Sequence, residues 1–161
     1  SDVFYSGTVA GAMESIIHGV PALAVSLGGA ESGPASQPVA EAAAASIAAE
    51  IAAEALAQAL PPYTLLNINL PRLSRADLRG VQTTRLGRRV YRDVLDTRTD
   101  PSGRLYYWIG GEIPTGIPAE GTDIGAVENG YVSVTPLGID LTSYAVLAQL
   151  DGWRFPAAGA K

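Results

Sequence analysis

Cysteine is absent from this chain of 161 residues, and histidine occurs once. The first absence excludes a disulfide framework, a thiolate nucleophile and a Cys-based zinc site; the second excludes a His-rich metal centre. Charge is sparse at 17%, with 11 basic side chains against 16 acidic ones and a net charge of −5. That balance argues against a nucleic acid polymer as partner, because a phosphate backbone is bound by a basic face. No uninterrupted apolar run is long enough to span a bilayer, and the N-terminus has no signal-peptide pattern. No membrane partner is therefore expected, and a cytoplasmic location is. The hydrophobic content, 47%, is that of a globular protein, and the length suits one domain with a proper core.

The opening stretch carries most of the chemistry. Val3-Phe4-Tyr5 is β-prone, Ser6-Gly7-Thr8 follows, and an Ala-rich helical pattern starts at once, from about Val9 to His18. The first N–H groups of a helix lack intrahelical partners and lie at its positive end. Gly7 lets a ligand approach the backbone, and Ser6 and Thr8 add hydroxyl donors, so a phosphate or carboxylate fits there. The simpler reading, that Ser6 or Thr8 merely caps the helix, stands beside it. Val9, Ala12, Met13, Ile16 and Ile17 follow the helical period, which makes Met13 core. His18, beside the Gly19 stop, is either a general base or a polar helix end favoured by the dipole, and the second reading is preferred because no motif pairs it with a carboxylate or nucleophile.

Residues 22–27 form a short apolar run, as in a buried parallel strand, and a Gly/Ser/Pro-rich loop spans Gly28 to Pro38. A helix is expected from Pro38 to Leu60 on the stripe Val39, Ala43, Ile47, Ile51 and Ala55, with Glu41, Glu50 and Glu54 solvated. Pro61-Pro62 ends it. Tyr63 to Leu70 is a strand on which Asn67 and Asn69 share a face, suited to orienting a loop or ligand or to satisfying backbone. Gly80 to Leu86 reads as another strand, followed by Arg85, Arg88, Arg89 and Arg92, either a steering patch for anions or a solvated strand. Segments 90–95 and 104–109 flank Asp100-Pro101-Ser102-Gly103, which suits a type I turn. The resulting hairpin carries Tyr91, Tyr106, Tyr107 and Trp108, and so many aromatics outside a core suggest a subunit contact. Thr122-Asp123 caps a short helix to about Glu128; Tyr131 to Leu137 is a strand; Thr142 caps a last helix to about Leu150, using Leu141, Ala145, Val146 and Leu150; the tail from Trp153 is loose.

Four blocks, in order, resemble the SurE family of 5′/3′-nucleotidases (survival protein E). They are Tyr5-Ser6-Gly7-Thr8-Val9-Ala10-Gly11-Ala12-Met13-Glu14 with residues 19–27, Leu66-Asn67-Ile68-Asn69-Leu70-Pro71, Asp100-Pro101-Ser102-Gly103-Arg104 with Tyr107-Trp108, and residues 121–142 with Gly130-Tyr131-Val132-Ser133-Val134-Thr135-Pro136-Leu137 at their centre. The resemblance implies an α/β fold, a Rossmann-like three-layer parallel-sheet domain with a protruding hairpin arm (about 84–118) and a C-terminal helix (about 142–150). It implies a metal-dependent phosphomonoesterase acting on nucleoside 5′- and 3′-monophosphates and on short polyphosphate. Ser6, Gly7 and Thr8 are then the phosphate-binding segment. A homodimer or homotetramer built through the 90–109 hairpin and the C-terminal helix is expected.

The same resemblance implies a divalent metal, Mg²⁺ or Mn²⁺, held by an Asp-Asp pair, a Ser and an Asn ahead of the Tyr-Ser-Gly-Thr block. None of these is in residues 1–161. The chain, which has no initiator Met, therefore reads as the C-terminal part of the pattern, with its metal ligands upstream of residue 1 and no catalytic or metal residue of its own. The alternative is a non-catalytic anion-binding or assembly module of the same fold. A Ser-His hydrolase is disfavoured, since Gly-x-Ser-x-Gly is absent.

Overall fold

The computed structural model describes residues 2–28, 37–90, 93–111 and 115–155. Most of the Gly28–Pro38 loop, Tyr91, Arg92 and the last six residues lie outside them. The described elements are a 3₁₀ turn at Asp2–Tyr5, α1 (Gly7–Ile17), β1 (Leu23–Leu27), α2 (Gln37–Gln58), β2 (Thr64–Leu70), β3 (Val81–Thr83), β4 (Arg89–Val90), β5 (Asp93–Thr99), β6 (Leu105–Gly111), β7 (Thr115–Gly116), α3 (Asp123–Glu128), β8 (Val132–Gly138) and α4 (Tyr144–Leu150).

The central sheet has the order β1-β2-β8-β3. β1 lies parallel to β2 and β3 parallel to β8, while β8 runs antiparallel to β2. The sheet is thus mixed, and α1 and α2 cover opposite faces as a three-layer α/β fold requires. On one face Val9, Ala12 and Ile16 of α1 meet Ala24, Leu65 and Leu137, with Met13 packed at the margin. On the other, Ala44 and Ile47 of α2 meet Ile68, Leu70 and Val132. Both faces follow from strand alternation, which sends Leu65 one way and Leu66, Ile68 and Leu70 the other.

α2 buries Ala40, Ala43, Ala44 and Ile47, whereas Val39 is exposed. The stripe read from spacing is therefore rotated: an Ala-rich helix is apolar nearly all round, and contact with the sheet chooses the face. Ala59 takes a left-handed φ of 51° and closes the helix before Pro61. The three acidic side chains are exposed, and Glu50 is also tied across to the chain after β2. Arg75 donates to both its oxygens at 2.8 and 2.9 Å, which holds the Glu50 carboxyl below its ordinary range.

The expected strand from Gly80 to Leu86 is only three residues long. Thr84 N–H still donates to the Val134 carbonyl of the neighbouring strand, and beyond it the backbone leaves the ladder: Arg85 N–H donates to the Gly121 carbonyl and Asp123 N–H to the Arg85 carbonyl. Leu86 then packs beside α1. At the C-terminus the helix starts at Tyr144 with Ser143 as N-cap, not Thr142, and none of its residues is buried. Thr142 instead holds the turn, since its N–H donates to Asp140 Oδ1 at 2.9 Å. Bonds from Thr142, then from the Tyr144 hydroxyl, lower the Asp140 carboxyl to about 2.

The hairpin forms in the register Thr99↔Leu105 through Asp93↔Gly111. Gly103, at φ 80°, donates to the Asp100 carbonyl at 3.0 Å. Asp100 Oδ1 also accepts from the N–H groups of Ser102 and Arg104, which ties the turn to its own first side chain. β5 and β6 pair chiefly with each other. Tyr106 and Trp108 point to one side of this arm, and Leu95, Leu105 and Tyr107 to the other, all exposed.

Candidate functional site

Ser6 is the N-cap of α1: its backbone is extended (φ −90°, ψ 115°) and its Oγ accepts from Val9 N–H at 3.2 Å. Ala10 N–H donates to the Ser6 carbonyl at 2.9 Å. The capping reading is thus correct for Ser6, and it leaves donors over. A hydroxyl that accepts one bond still has its own O–H to give. The N–H groups of Gly7 and Thr8 precede the first intrahelical bond and have no partner among the described residues. The Thr8 side chain is exposed, and a Cβ placed on Gly7 would meet nothing within 4 Å. Two N–H groups and two hydroxyls are therefore left over at the positive end of an 11-residue helix, with Gly7 and Thr8 exposed and Ser6 half-buried.

The fold decides where that cluster sits. His18 and left-handed Gly19 (φ 76°) end α1, and a short link enters β1 at Leu23. The helix therefore runs back against β1, and its first turn lies towards the end where β1 and β2 finish. That is the end of a parallel pair at which ligands collect in α/β folds.

The sheet face under α1 becomes polar in the same direction. Leu65 and Leu137 lie at the far end. Asn67 and Thr135 pair next along the strands, and Ser26, Asn69, Ser133 and Gln82 follow in one row. Thr84 Oγ1 links Ser133 Oγ at 2.8 Å and Thr135 Oγ1 at 2.7 Å, all three residues being buried. The asparagines do share a face, as alternation requires, and it is this one. The hydroxyl row was not singled out from the sequence. Its signal is present, however, because Ser133 and Thr135 alternate with Val132 and Val134 in an otherwise apolar strand.

His18 is exposed, with Nε2 3.1 Å from Glu14 Oε1 one turn back, and it meets no nucleophile. Arg85 reaches the Glu120 carbonyl at 3.4 Å. Two grooves, one between α2 and β3 and one between β3 and α3, are lined by neither Ser6 nor Gly7 nor Thr8. No helix of the described residues is long and apolar enough to cross a membrane. Among them, too, no three His, Asp or Glu side chains converge.

The family model for survival protein SurE matches residues 1–93. The chain belongs to the SurE family. It is 46% identical over 155 residues to 5′-nucleotidase SurE of Chloroflexus aggregans, covering 96% of this chain and 60% of that protein. With 5′-nucleotidase SurE of Heliobacterium modesticaldum the identity is 43% over 153 residues, covering 95% of this chain and 54% of the relative. The crystal structure of the SurE protein from Aquifex aeolicus superposes with a TM-score of 0.73 at 37% identity, over 94% of this chain and 58% of that one. The α/β SurE fold is thereby established for residues that span a little over half the length of these relatives. Divalent-metal dependence is general in the SurE family.

Proposed function

We propose that this chain is the phosphate-holding and assembly part of a metal-dependent SurE phosphomonoesterase that hydrolyses nucleoside 5′-monophosphates, with activity on 3′-monophosphates and short polyphosphate. The observation that carries this reading is the set of four unspent donors on Ser6, Gly7 and Thr8 at the start of α1. A phosphate monoester has three non-bridging oxygens, and preorganised N–H and O–H groups aimed at them stabilise the charge that builds up as the ester bond breaks. The buried hydroxyl and amide rows beneath fix the sheet without competing for those donors. The cation, Mg²⁺ or Mn²⁺, takes its ligands from the part of the family's length that these residues do not span.

Gly7→Ala in the full-length protein tests the reading. No left-handed φ is required at Gly7 and no atom opposes the added methyl, so the fold should lose nothing and gain up to about 1 kcal/mol from the less flexible unfolded chain. The methyl stands where the phosphate is placed, so release of phosphate from nucleoside 5′-monophosphates should fall while the unfolding midpoint holds or rises. Full activity would show that the phosphate binds elsewhere.

The same reading assigns self-association to the arm and the C-terminal helix. Arm residues Leu95, Leu105, Tyr107 and Trp108 are each more than half exposed, as are Leu141, Tyr144, Leu147, Trp153 and Phe155 around α4. Apolar groups this dense at two protruding elements are what a second copy of the chain would cover. Tyr107→Glu with Trp108→Glu should shift the sedimenting mass towards the monomer and leave the fold of the body intact. An unchanged mass would remove the arm from the interface.

A further inference from the structure

The groove between β3 and α3 has a volume of about 320 Å³, at the small end of ligand sites. Part of its lining is the turn at residues 119–122, in which Thr122 N–H donates to the Ala119 carbonyl at 3.2 Å and Gly121 is left-handed (φ 72°). The turn sits tight on α3, since a Cβ on Gly125 would overlap the Ala119 carbonyl. Tyr131 lines the groove too, with the Arg79 guanidinium 4.8 Å from its ring centre. Gln82, half-buried on β3, completes the polar lining with Asn129 and Glu120.

Backbone carbonyls of this lining are already taken. Arg85 donates its N–H to the Gly121 carbonyl at 3.0 Å and a guanidinium N–H to the Glu120 carbonyl at 3.4 Å. Thr122 Oγ1 donates to the Ala119 carbonyl at 2.6 Å, and Asn129 Nδ2 to the Gly125 carbonyl at 2.7 Å. Donors, by contrast, are left over. Arginine carries five N–H groups, and Arg79 gives one, to the Asn129 carbonyl at 3.3 Å. Among the described residues Arg79 meets no carboxylate: Glu120, the one acidic residue of the lining, pairs with neither Arg79 nor Arg85. The N–H groups of Glu120 and Gly121 and the side-chain amide of Gln82 have no partner among those residues either. A Cβ on Gly121 would meet nothing within 4 Å, so the backbone there is open to a ligand.

An uncompensated guanidinium, free N–H groups on a turn and a neutral amide are the donor set of an oxyanion site. Arginine matches two phosphate oxygens at once, and N–H groups of a turn form a concavity that holds anions. We propose that the groove between β3 and α3 is a phosphate site in its own right, which holds the phosphate group of a small molecule on Arg79, Gln82 and the turn at Gly121. Ser6, Gly7 and Thr8 are not among its lining residues, so it stands whether or not they hold a phosphate.

Amide chemical shifts of the full-length protein, freed of metal ions and titrated with inorganic phosphate, test the site residue by residue. The Gly121 N–H and the Gln82 side-chain amide should shift and saturate. Arg79→Gln withdraws charge-assisted bonds and should weaken binding in the groove about tenfold or more. Gln82→Glu keeps the size of the side chain, brings in a negative charge and should weaken it as much, read at Gly121; it decides the matter if Arg79→Gln does not fold. Arg75→Gln, which frees Glu50 beside α2, should leave the affinity unchanged. Ser6→Ala with Thr8→Val should leave it unchanged as well. Absent shifts at Gly121 up to tens of millimolar phosphate, parental affinity in Gln82→Glu, or shifts lost with the Ser6 and Thr8 changes would each overturn the proposal. A nucleoside 5′-monophosphate that binds the groove more tightly than inorganic phosphate would identify an organic phosphate as the occupant, and equal affinity would identify free phosphate.

Discussion

Ser6→Ala combined with Thr8→Val should lower the turnover of nucleoside 5′-monophosphates about 10²-fold or more, the usual consequence of withdrawing a donor from developing charge. The double change removes both hydroxyls and leaves the two free N–H groups of Gly7 and Thr8. Part of the loss at Ser6 is structural, because its Oγ caps α1 at Val9 N–H and such a cap contributes about 1 kcal/mol. Ser6→Asp separates the two roles. Aspartate caps a helix as well as serine does, so α1 should stay intact, but it brings a negative charge to the point proposed for the phosphate. Activity should collapse in Ser6→Asp with no fall in the unfolding midpoint. Retention of turnover in both variants would remove Ser6 and Thr8 from the phosphate site and leave them as helix-end residues only.

Leu65→Ala should destabilise the protein by about 2–5 kcal/mol, since it empties a fully buried position and the sheet around it relaxes only in part. In a chain of this size that is on the order of 10 °C in the unfolding midpoint. Leu65 lies under α1 with Ala24 and Leu137, so the cavity opens beneath the helix that presents Ser6, Gly7 and Thr8. The start of α1 should therefore loosen before the whole domain melts, seen as faster amide exchange in α1 than in α2. The hydroxyl row two residues along does not share the cavity. A midpoint change within a degree or two would mean that α1 is held by something other than this packing.

Much of the site was legible in the residues because its logic is local. Ser6 caps the helix that follows it, Gly7 has no side chain, and the first N–H groups of a helix are free wherever that helix lies. The long strand from Thr64 to Leu70 was legible for a similar reason: alternation alone sets its two asparagines on one face and Ile68 on the other. So was the turn at Asp100-Pro101-Ser102-Gly103, where each residue type suits its own backbone angles. The blocks shared with the SurE family extended that local reading to most of the chain.

What failed was whatever needed a partner distant in the sequence. The face of α2 could not be read from a helix rich in alanine on every side. The strand after Gly80 stops short because, after a last bond from Thr84 N–H to Val134, the backbone groups of Arg85 bond to Gly121 and Asp123, far along the chain. Asp123 read as part of a cap, whereas Thr122 caps α3 and Asp123 holds Gly87.

The sequence by itself determined a capped helix start, two apolar strands, an aromatic hairpin and membership of the SurE family, all carried by near neighbours and fixed spacings. Only the tertiary structure decided that β8 runs antiparallel to β2, that the sheet face under α1 grades from Leu65 to Asn69 and Ser133, and that Asp123 at the start of α3 holds Gly87. The physical reason is the range of the forces involved. Caps, turns and alternation act within a few residues, whereas register, buried polar pairing and the seating of one element on another are set by close packing between segments that the chain alone does not place side by side.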